Sequence, residues 1–561
     1  MPQARARACL ADLASSARRL ATRPAWADIA RELAPLGLVA AIAPWLVVCL
    51  RHYATGTAWR DVSMYTYPAW CILHGERLYD TIAVPDGPLA ILIHLPMLVL
   101  SGLHEDAWRR FDLGFHVFVG ALLGMLVVRR APGLGAAAAI ARRASWAIVG
   151  AALWLTQLLS FHFGATLQRE AYYVGIGMLG VVIVYASAWQ PRRLAAWMIG
   201  GGALLAGLPF WGKQTAGLYA AFAVMTALAL PSTPDRPLRW RMRWAGMGLG
   251  ASVLLVLAFV AAVGSLRGMW LWYFRYNVEY YRFHDIEEPL NILSASFAQG
   301  EYNIAAISLV VGLAAIAMGL LPARCLAFAT APALECASAV GQMRGWTYHF
   351  IPAEFCAAVF FLVALGHGWR DVRRTGRVSQ AERVATTVVA FLFVGWWSLG
   401  LVMSSTWLKA SESHVDDPSA TQPIAAARVL AEHTRPGDRV FHFGDDPAVT
   451  LFAERLPATP YEVAWMRDLV KHVPLAGPLK ITAAQEAGVR ALERRFQQDD
   501  CARLLANPPP AMVFHDGAVG YGSGIIQVVY GYCPALRSIV DKRYHRVQVG
   551  PYHLFFRDDR P

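Results

Sequence analysis

The run LGLVAAIAPWLVVCL at residues 36–50, followed by RDVSMYTYP at residues 60–68, decides how this chain is organised. The first stretch is apolar enough to enter a membrane, and the second places a carboxylate, Asp61, just outside it. Carboxylates beside a bilayer cost free energy unless they are paired, protonated or used in function. Two further acidic stretches follow, GERLYD at 75–80 and DGPL at 86–89, so this region is a candidate functional site.

The composition of the whole chain is that of a polytopic membrane protein. Hydrophobic residues make up 56% of the 561 and charged residues 16%, with a mean hydropathy of +0.37. Soluble chains carry about 25% charged residues. The net charge of +12 sits mostly in short loops between apolar runs, which is the positive-inside pattern, and no basic-aromatic or zinc module accompanies it. We therefore expect membrane lipids, and no nucleic acid, as partners.

Eleven membrane spans follow from allowing about 17–25 apolar residues for each and keeping the Arg-rich loops on one side. Residues 1–33 lack a signal-peptide cleavage site and are predicted to be a cytoplasmic tail, followed by a membrane domain at 34–404. The spans are predicted near 34–52, 111–128, 144–161, 171–189, 194–210, 214–231, 245–264, 303–321, 325–342, 350–367 and 385–404.

One apolar run, residues 88–103, is too short for this scheme and contains His94 and Pro96. Counting it as a span would reverse the side of every later Arg-rich loop. We interpret it as a re-entrant or interfacial segment. The first external loop then covers residues 53–110 and is predicted to hold helices along the membrane surface.

The remaining residues, 405–561, alternate amphipathic helices with short strands and predict an α/β domain of ordinary size, with a two-stranded ribbon at 545–558. An odd number of spans places this domain outside the cytoplasm. Cys501 and Cys533 would there either form a disulfide or stay free. The turn at 443–446 lacks the G-x-G-x-x-G spacing of a nucleotide site, so no Rossmann-type pocket is expected.

The external loops carry polar side chains that composition alone does not require. A carboxylate can take a proton from an acceptor hydroxyl, and Lys and Arg can hold a phosphate leaving group. Such a set would suit a reaction on an anionic, lipid-linked substrate. Its candidate members are Asp61, Asp86, Arg169, Glu170, Lys213, Arg344, Tyr348 and His349.

Each of these residues also has a purely structural explanation. Arg169 and Glu170 can form an ordinary interface ion pair, and Asp86 lies between Pro and Gly, where Asp commonly forms turns. Asp61 can pair with Arg60 or cap a surface helix. Long side chains that reach the headgroups, or an aromatic belt, would account for the others. The constellation therefore carries more weight than any single member.

The order of these motifs resembles that of the GT-C glycosyltransferases. The resemblance is to protein O-mannosyltransferase-like enzymes and to the aminoarabinose transferases of lipid A, and it covers the membrane part of the chain. It rests on an aspartate after the first span, then GERLY and DGPL, QRE at 168–170, GKQ at 212–214 and YHFIP at 348–352.

The resemblance implies an inverting transfer of a sugar from a polyprenyl-phosphate donor, on the outer face of a bacterial inner membrane. The acceptor would be a lipid, a polysaccharide or a protein. Asp61 would act as the general base or as the carboxylate that orients the acceptor, with Glu170 as a second catalytic carboxylate. The donor and its phosphate would be bound by Lys213, Arg344, Tyr348, His349, Arg169 and Asp86.

The sequence departs from these families at two positions. Glu170 stands where many relatives carry Asp, and Asp86 replaces the Glu-Lys pair of the aminoarabinose transferases, which leaves the donor sugar open. No cofactor is required by the resemblance. A divalent metal ion remains an option because some relatives contain one, and the sequence shows no ligand set that decides it.

Three other functions compete with this interpretation. A lipid-linked polysaccharide ligase or polymerase would centre on Arg and His in one large late loop. A transporter or lipid flippase would place polar groups at mid-membrane and show paired repeats, which this sequence lacks. A scaffold would leave Asp61, Lys213 and Arg344 without a shared purpose.

Overall fold

The architecture is a bundle of membrane helices followed by a domain built on a β-sheet. The computed structural model describes residues 25–55, 60–129, 134–160, 167–299, 301–344, 347–375, 418–444, 446–461, 463–516 and 524–558, with only the backbone of Asp61.

The helices of the membrane part follow the predicted apolar runs. Their bounds are α1 Ala25–Leu33, α2 Leu36–Thr55, α3 Arg60–Leu73, α4 Pro88–Ser101, α5 Glu105–Val127, α6 Ala136–Ser160, α7 Arg169–Ala186, α8 Arg192–Gly207, α9 Leu218–Ala229, α10 Leu238–Val263, α11 Leu266–Met269 continuing as the π-helix Trp270–Tyr276, α12 Asn277–Glu279, α13 Pro289–Gln299, α14 Glu301–Ala317, α15 Leu326–Gly341 and α16 Ile351–Thr375.

Within the described residues, six helices are long and apolar enough to cross a membrane, and shorter apolar helices accompany them. The predicted class, a polytopic helical membrane protein with a carboxyl-terminal sheet domain, is confirmed. The last predicted span, 385–404, and the domain boundary at about 405 lie outside the described residues. The six long helices are Glu105–Val127, Ala136–Leu159, Arg169–Trp189, Arg192–Trp211, Leu238–Val263 and Tyr348–His367.

Small residues let the membrane helices approach closely. A Cβ atom on Gly124 of α5 would meet the carbonyl oxygen of Trp146 in α6 at 1.9 Å. A Cβ on Gly150 of α6 would meet the Gly120 carbonyl oxygen at 2.3 Å. Lipid tails are as apolar as Leu, so association between membrane helices depends on such backbone contact. Gly124 and Gly150 are therefore packing positions.

The short apolar run of the first loop forms α4, which has 14 residues. At 1.5 Å per residue it is about 21 Å long, less than the roughly 30 Å hydrocarbon core. Gly87 precedes it and Pro88 occupies its first position, while Gly102 ends it with a φ of 56°. Its length agrees with an interfacial or re-entrant segment, and its position relative to a bilayer stays a prediction.

The carboxyl-terminal domain is a five-stranded sheet in the order β2-β1-β3-β5-β4. Strands β1 and β3 are parallel, with Val440 opposite Ala511, and β5 is antiparallel to β3. The ribbon predicted near the end of the chain is the hairpin β4–β5. The elements are α17 Pro418–Glu432, β1 Arg439–Phe443, α18 Ala448–Phe452, β2 Leu456–Pro457, α19 Ala483–Ala506, β3 Ala511–His515, α20 Ile525–Tyr532, α21 Pro534–Arg543, β4 Tyr544–Val549 and β5 Tyr552–Arg557.

Two apolar cores lie on the two faces of this sheet. Phe441 and Phe514 belong to one core, and Val440 and Val513 belong to the other, as the two-residue period of a strand requires. Helix α19 begins at a capping box in which Thr482 and Gln485 exchange hydrogen bonds. A disulfide joins Cys501 of α19 to Cys533, which resolves the alternative left open by the sequence.

Candidate functional site

The first and third of the loops predicted to be external meet backbone to backbone. The amide of Gly87 donates to the carbonyl of Gly212 at 3.2 Å. A Cβ atom on Gly87 would lie 2.0 Å from the carbonyl oxygen of Trp211, and one on Gly212 would lie 2.2 Å from the Tyr173 ring. Both positions therefore require glycine. This contact brings their neighbours, Asp86 and Lys213, to the same place.

A chain of ion pairs runs through that place. Arg169 pairs with Asp86 and, through Nε, with Glu170 Oε1 at 3.2 Å. Lys213 Nζ pairs with the same Glu170 oxygen at 2.9 Å. The side chain of Glu170 is 2% exposed, and the Arg169 guanidinium lies 5.0 Å from the centroid of the Tyr65 ring. Four candidates from three loops are thus in contact.

Local structure positions Glu170 and Lys213. Arg169 and Glu170 open α7, and Glu170 occupies its first turn. A carboxylate near a helix N-terminus interacts favourably with the free amide groups and the helix dipole. Lys213 has an extended backbone between the 3₁₀ helices Leu208–Trp211 and Gln214–Gly217, which directs the chain sharply around the residue.

The electrostatics of Lys213 are unusual for a lysine. Burial lowers its pKa from the ordinary 10.5 to about 8. The neighbouring charge of Glu170 opposes this shift, whereas the charges of Arg169 and Arg344 add to it. Lys213 is consequently a cation held in a crowded positive environment, and an added anion would relieve that repulsion.

Arg344 approaches the same region from the loop before α16. Its guanidinium lies over the Tyr281 ring, 4.0 Å from the centroid, and donates to the Tyr281 carbonyl. Tyr348 and His349 follow in the 3₁₀ helix Thr347–Phe350, and their rings make an edge contact at 4.7 Å. His349 is buried and lies within electrostatic reach of Lys213, Arg344 and Arg169. The structure thus gathers all the described candidates.

Asp61 lies at the second residue of α3, and its side chain is outside the described residues. The helix itself packs on α4 and continues to Tyr65, whose ring contacts Arg169. The backbone of Asp61 is therefore one helical turn from a residue that touches the ion-pair chain. Its catalytic role stays a prediction.

Sequence reasoning missed two residues of this region. Tyr281 supports Arg344 but lies in an aromatic-rich segment that resembles an interface belt. Glu335 lies inside the predicted span 325–342, where it is buried beside Tyr219 and within reach of the Lys213 charge. A carboxylate inside an apolar run is itself a signal of function, and it could have identified Glu335.

Among the residues that the structure describes, one group of side chains could hold a metal ion. His284, Asp285 and His472 each offer a ligand atom, and these atoms lie within 4.8 Å of one another. Burial lowers the pKa of His284 to about 3, so its imidazole is neutral and can donate a lone pair. Two imidazoles and a carboxylate are a ligand set typical of zinc. The group joins the membrane part to the carboxyl-terminal domain.

The chain combines a helical membrane bundle, helices in the first long loop and a sheet domain after the bundle, and this architecture is an ArnT-like fold. The sequence resemblance is confirmed at the level of fold. The structural match described next covers nearly the whole chain, including the carboxyl-terminal domain. It therefore extends beyond the motifs of the membrane part.

The crystal structure of ArnT from Cupriavidus metallidurans bound to undecaprenyl phosphate matches this chain with a TM-score of 0.52 and 12% identity, covering 93% of this chain and 98% of that one. The apo state of the same ArnT matches over the same shares at 12% identity and a TM-score of 0.49. At this identity the likeness is one of fold. No family model matches the chain, and no curated protein matches it.

Proposed function

We propose that this chain transfers a sugar from a polyprenyl-phosphate donor to an acceptor at the outer face of a bacterial inner membrane. The observation that carries the proposal is the convergence of Arg169, Lys213 and Arg344 at one end of the membrane helices. Convergent cations in a desolvated site are what a phosphate requires. The binding of undecaprenyl phosphate by ArnT, whose fold this chain shares, supports the same donor class.

In this proposal the cations bind the donor phosphate, and the carboxylates have two roles. Asp86 and Glu170 hold Arg169 and Lys213 in place through the ion pairs described above. Tyr348 and His349 line the site beside Arg344. Asp61 is the base that removes the acceptor proton, because its helix starts next to this cluster.

The chemistry balances with these groups alone. The acceptor oxygen attacks the anomeric carbon of the sugar while Asp61 takes the hydroxyl proton. The bond between the anomeric carbon and the phosphate oxygen breaks, and the electron pair leaves with the polyprenyl phosphate. The cations stabilise the charge that develops on that leaving group. Attack from the face opposite the phosphate inverts the anomeric configuration.

The proposed orientation of the chain in the membrane is supported by contacts at the end of the bundle opposite the ion-pair chain. Arg236 donates to the Gln190 carbonyl at 2.8 Å, and Arg241 donates to the Ala227 carbonyl at 3.0 Å. Two Arg-rich loops thus lie side by side, away from the Glu170–Lys213 pair. The positive-inside rule then makes the N-terminus cytoplasmic and the carboxyl-terminal domain extracytoplasmic. Alkaline phosphatase fused after the last residue should be active, and an inactive fusion would reverse the topology.

A divalent metal ion, if bound, would be held by His284, Asp285 and His472. Because these residues come from both parts of the chain, the ion would tie the carboxyl-terminal domain to the loop before α13. Elemental analysis of the purified protein and of His472→Ala tests this: equal zinc content in the two proteins would reject the site.

The proposed reaction is tested by identifying the donor. Mass spectrometry of lipids that co-purify with the protein should detect a polyprenyl phosphate or its sugar conjugate. The conjugate should then release free polyprenyl phosphate when purified protein and an acceptor extract are added. A purified protein that retains only phospholipids, and that releases no polyprenyl phosphate from such conjugates, would contradict the proposal.

A further inference from the structure

A buried carboxylate, Asp446, connects the carboxyl-terminal domain to the helix that carries Asp61. Asp446 follows β1, is 6% exposed, and accepts a hydrogen bond from the hydroxyl of Ser63 in α3. The same Asp446 oxygen, Oδ1, accepts from the amide of Ala448 at 2.9 Å, at the start of α18. The carboxylate therefore joins the first turn of one helix to the first turn of another.

More contacts from the same side of the domain reach α3 and the loop that follows it. The hydroxyl of Tyr67 donates to the Arg455 carbonyl at 2.9 Å. Arg439 of β1 pairs with Glu76. Further along the loop, the amide of Ala83 donates to the carbonyl of Pro460 at 2.8 Å. Residues 63–83 are thus attached to the domain along their length.

The place of attachment matters because helix ends are their least stable parts. The first four amides of a helix have no partner within it, and its first turn frays readily. Helix α3 begins at Arg60, so Asp61 and Ser63 both belong to that first turn. A hydrogen bond to Ser63 holds the turn in helical geometry and with it the backbone from which the Asp61 side chain extends.

We propose that Asp446 is a positioning residue, through which the carboxyl-terminal domain holds the first turn of α3, and Asp61 with it, in the geometry for catalysis. The proposal rests on the function proposed above for Asp61. The proposal gives the domain a role in the reaction, although none of its described residues belongs to the proposed donor phosphate site. Asp446 acts here as a hydrogen-bond acceptor, so its charge is not what the reaction needs.

The test compares one substitution that keeps a hydrogen-bond acceptor at position 446 with one that removes it. Asp446→Asn keeps a carbonyl oxygen that can accept from Ser63 and Ala448, whereas Asp446→Ala keeps none. Misplacement by about 1 Å can cost on the order of 10²-fold in rate. We therefore expect Asp446→Ala to lower kcat about 10-fold to 100-fold with an unchanged affinity for undecaprenyl phosphate, and Asp446→Asn to stay within about 3-fold of wild type.

A double substitution and a matched control complete the design. If Asp446 acts through Ser63, then Ser63→Ala combined with Asp446→Ala should be no slower than Asp446→Ala alone. Asp541→Ala removes an exposed carboxylate of the same domain, which pairs only weakly with Arg537 at 3.8 Å, and should leave kcat unchanged. An Asp446→Asn variant as slow as Asp446→Ala would show that the charge itself is required and would overturn the proposal.

Hydrogen exchange separates this proposal from the function on which it rests. Amides of residues 60–73 should exchange faster in Asp446→Ala than in wild type or in Asp541→Ala, whatever reaction the protein catalyses. Unchanged exchange in this helix would reject the positioning role even if transfer were lost. Faster exchange together with an active Asp61→Asn variant would instead reject Asp61 as the base.

Discussion

The ammonium of Lys213 donates a 2.9 Å hydrogen bond to Glu170 across 43 residues of sequence, beside the contact between the first and third loops. Burial makes this pair sensitive to pH, because it lowers the Lys213 pKa to about 8. In the free protein the protonated form of Lys213, which is the form proposed to bind a phosphate, therefore predominates only below about pH 8.

The affinity for undecaprenyl phosphate should reflect this titration. Wild type should bind more tightly than Lys213→Met at about pH 7, and the advantage should begin to shrink above about pH 8. Titration of the lipid phosphate itself cancels in this comparison because both proteins see the same ligand. A constant ratio of the two dissociation constants from about pH 7 to about pH 9.5 would contradict a binding role for the Lys213 charge.

Substituting Asp61 should abolish turnover without unfolding the protein. Asn is nearly isosteric with Asp but cannot accept the acceptor proton, and loss of a general base commonly costs about 10² to 10⁴-fold. The measurement is the rate of transfer from a polyprenyl-phosphate sugar by purified Asp61→Asn, with its melting temperature as the control for folding. A near-native rate would show that another group is the base.

The substitution Gly87→Ala should separate the first and third loops. Its new Cβ would lie 2.0 Å from a carbonyl oxygen, so the backbone must shift and carry Asp86 away from Arg169. We expect a destabilisation of about 1–3 kcal/mol and a loss of activity. Gly114→Ala in α5 is the control, since nothing lies within 4 Å of its added Cβ, and it should be neutral or slightly stabilising. Equal thermal stability of the two variants would disprove the close approach.

The buried carboxylate of Glu335 should lower the free energy of unfolding relative to a neutral side chain of the same size. Its Oε1 has no hydrogen-bond partner among the residues that the structure describes. Glu335→Gln keeps an acceptor for the neighbouring Tyr219 and removes the ionisable group, so it should raise the free energy of unfolding by about 1–3 kcal/mol. The exposed pair Glu279–Arg275 provides a control in Glu279→Gln, expected within about 0.5 kcal/mol of wild type. A lower melting temperature for Glu335→Gln would contradict this reasoning.

The helices of the membrane part could be predicted because each depends on a continuous run of neighbouring apolar residues. A span needs a continuous apolar run, so the predicted spans from 34–52 to 350–367 each coincide with a helix. The alternation of residues 545–558 likewise predicted a strand ribbon, which is the hairpin β4–β5. In these segments the pattern of neighbouring residues alone determines the structure.

The candidate residues of the ion-pair chain could be named from the sequence, and so could the pair between the neighbours Arg169 and Glu170, but the pairs that join different loops could not. The external loops supplied Asp86, Arg169, Glu170 and Lys213 as candidates, yet local sequence assigned Asp86 to a turn. Its partner is set by the packing of separate loops at Gly87 and Gly212. The contact between Ser63 and Asp446 spans 383 residues and has no local signal. Long-range pairs of this kind depend on the assembled fold.

The central claim is that the convergent cations bind a lipid-linked phosphate, and native mass spectrometry tests it most directly. Wild-type protein mixed with equal amounts of undecaprenyl phosphate and undecaprenol should retain the phosphate form alone, with one molecule per chain. The double variant Lys213→Met, Arg344→Met should retain neither, because two of the three convergent cations are lost. Equal retention of undecaprenyl phosphate by the double variant and wild type, or equal retention of undecaprenol by wild type, would contradict the account.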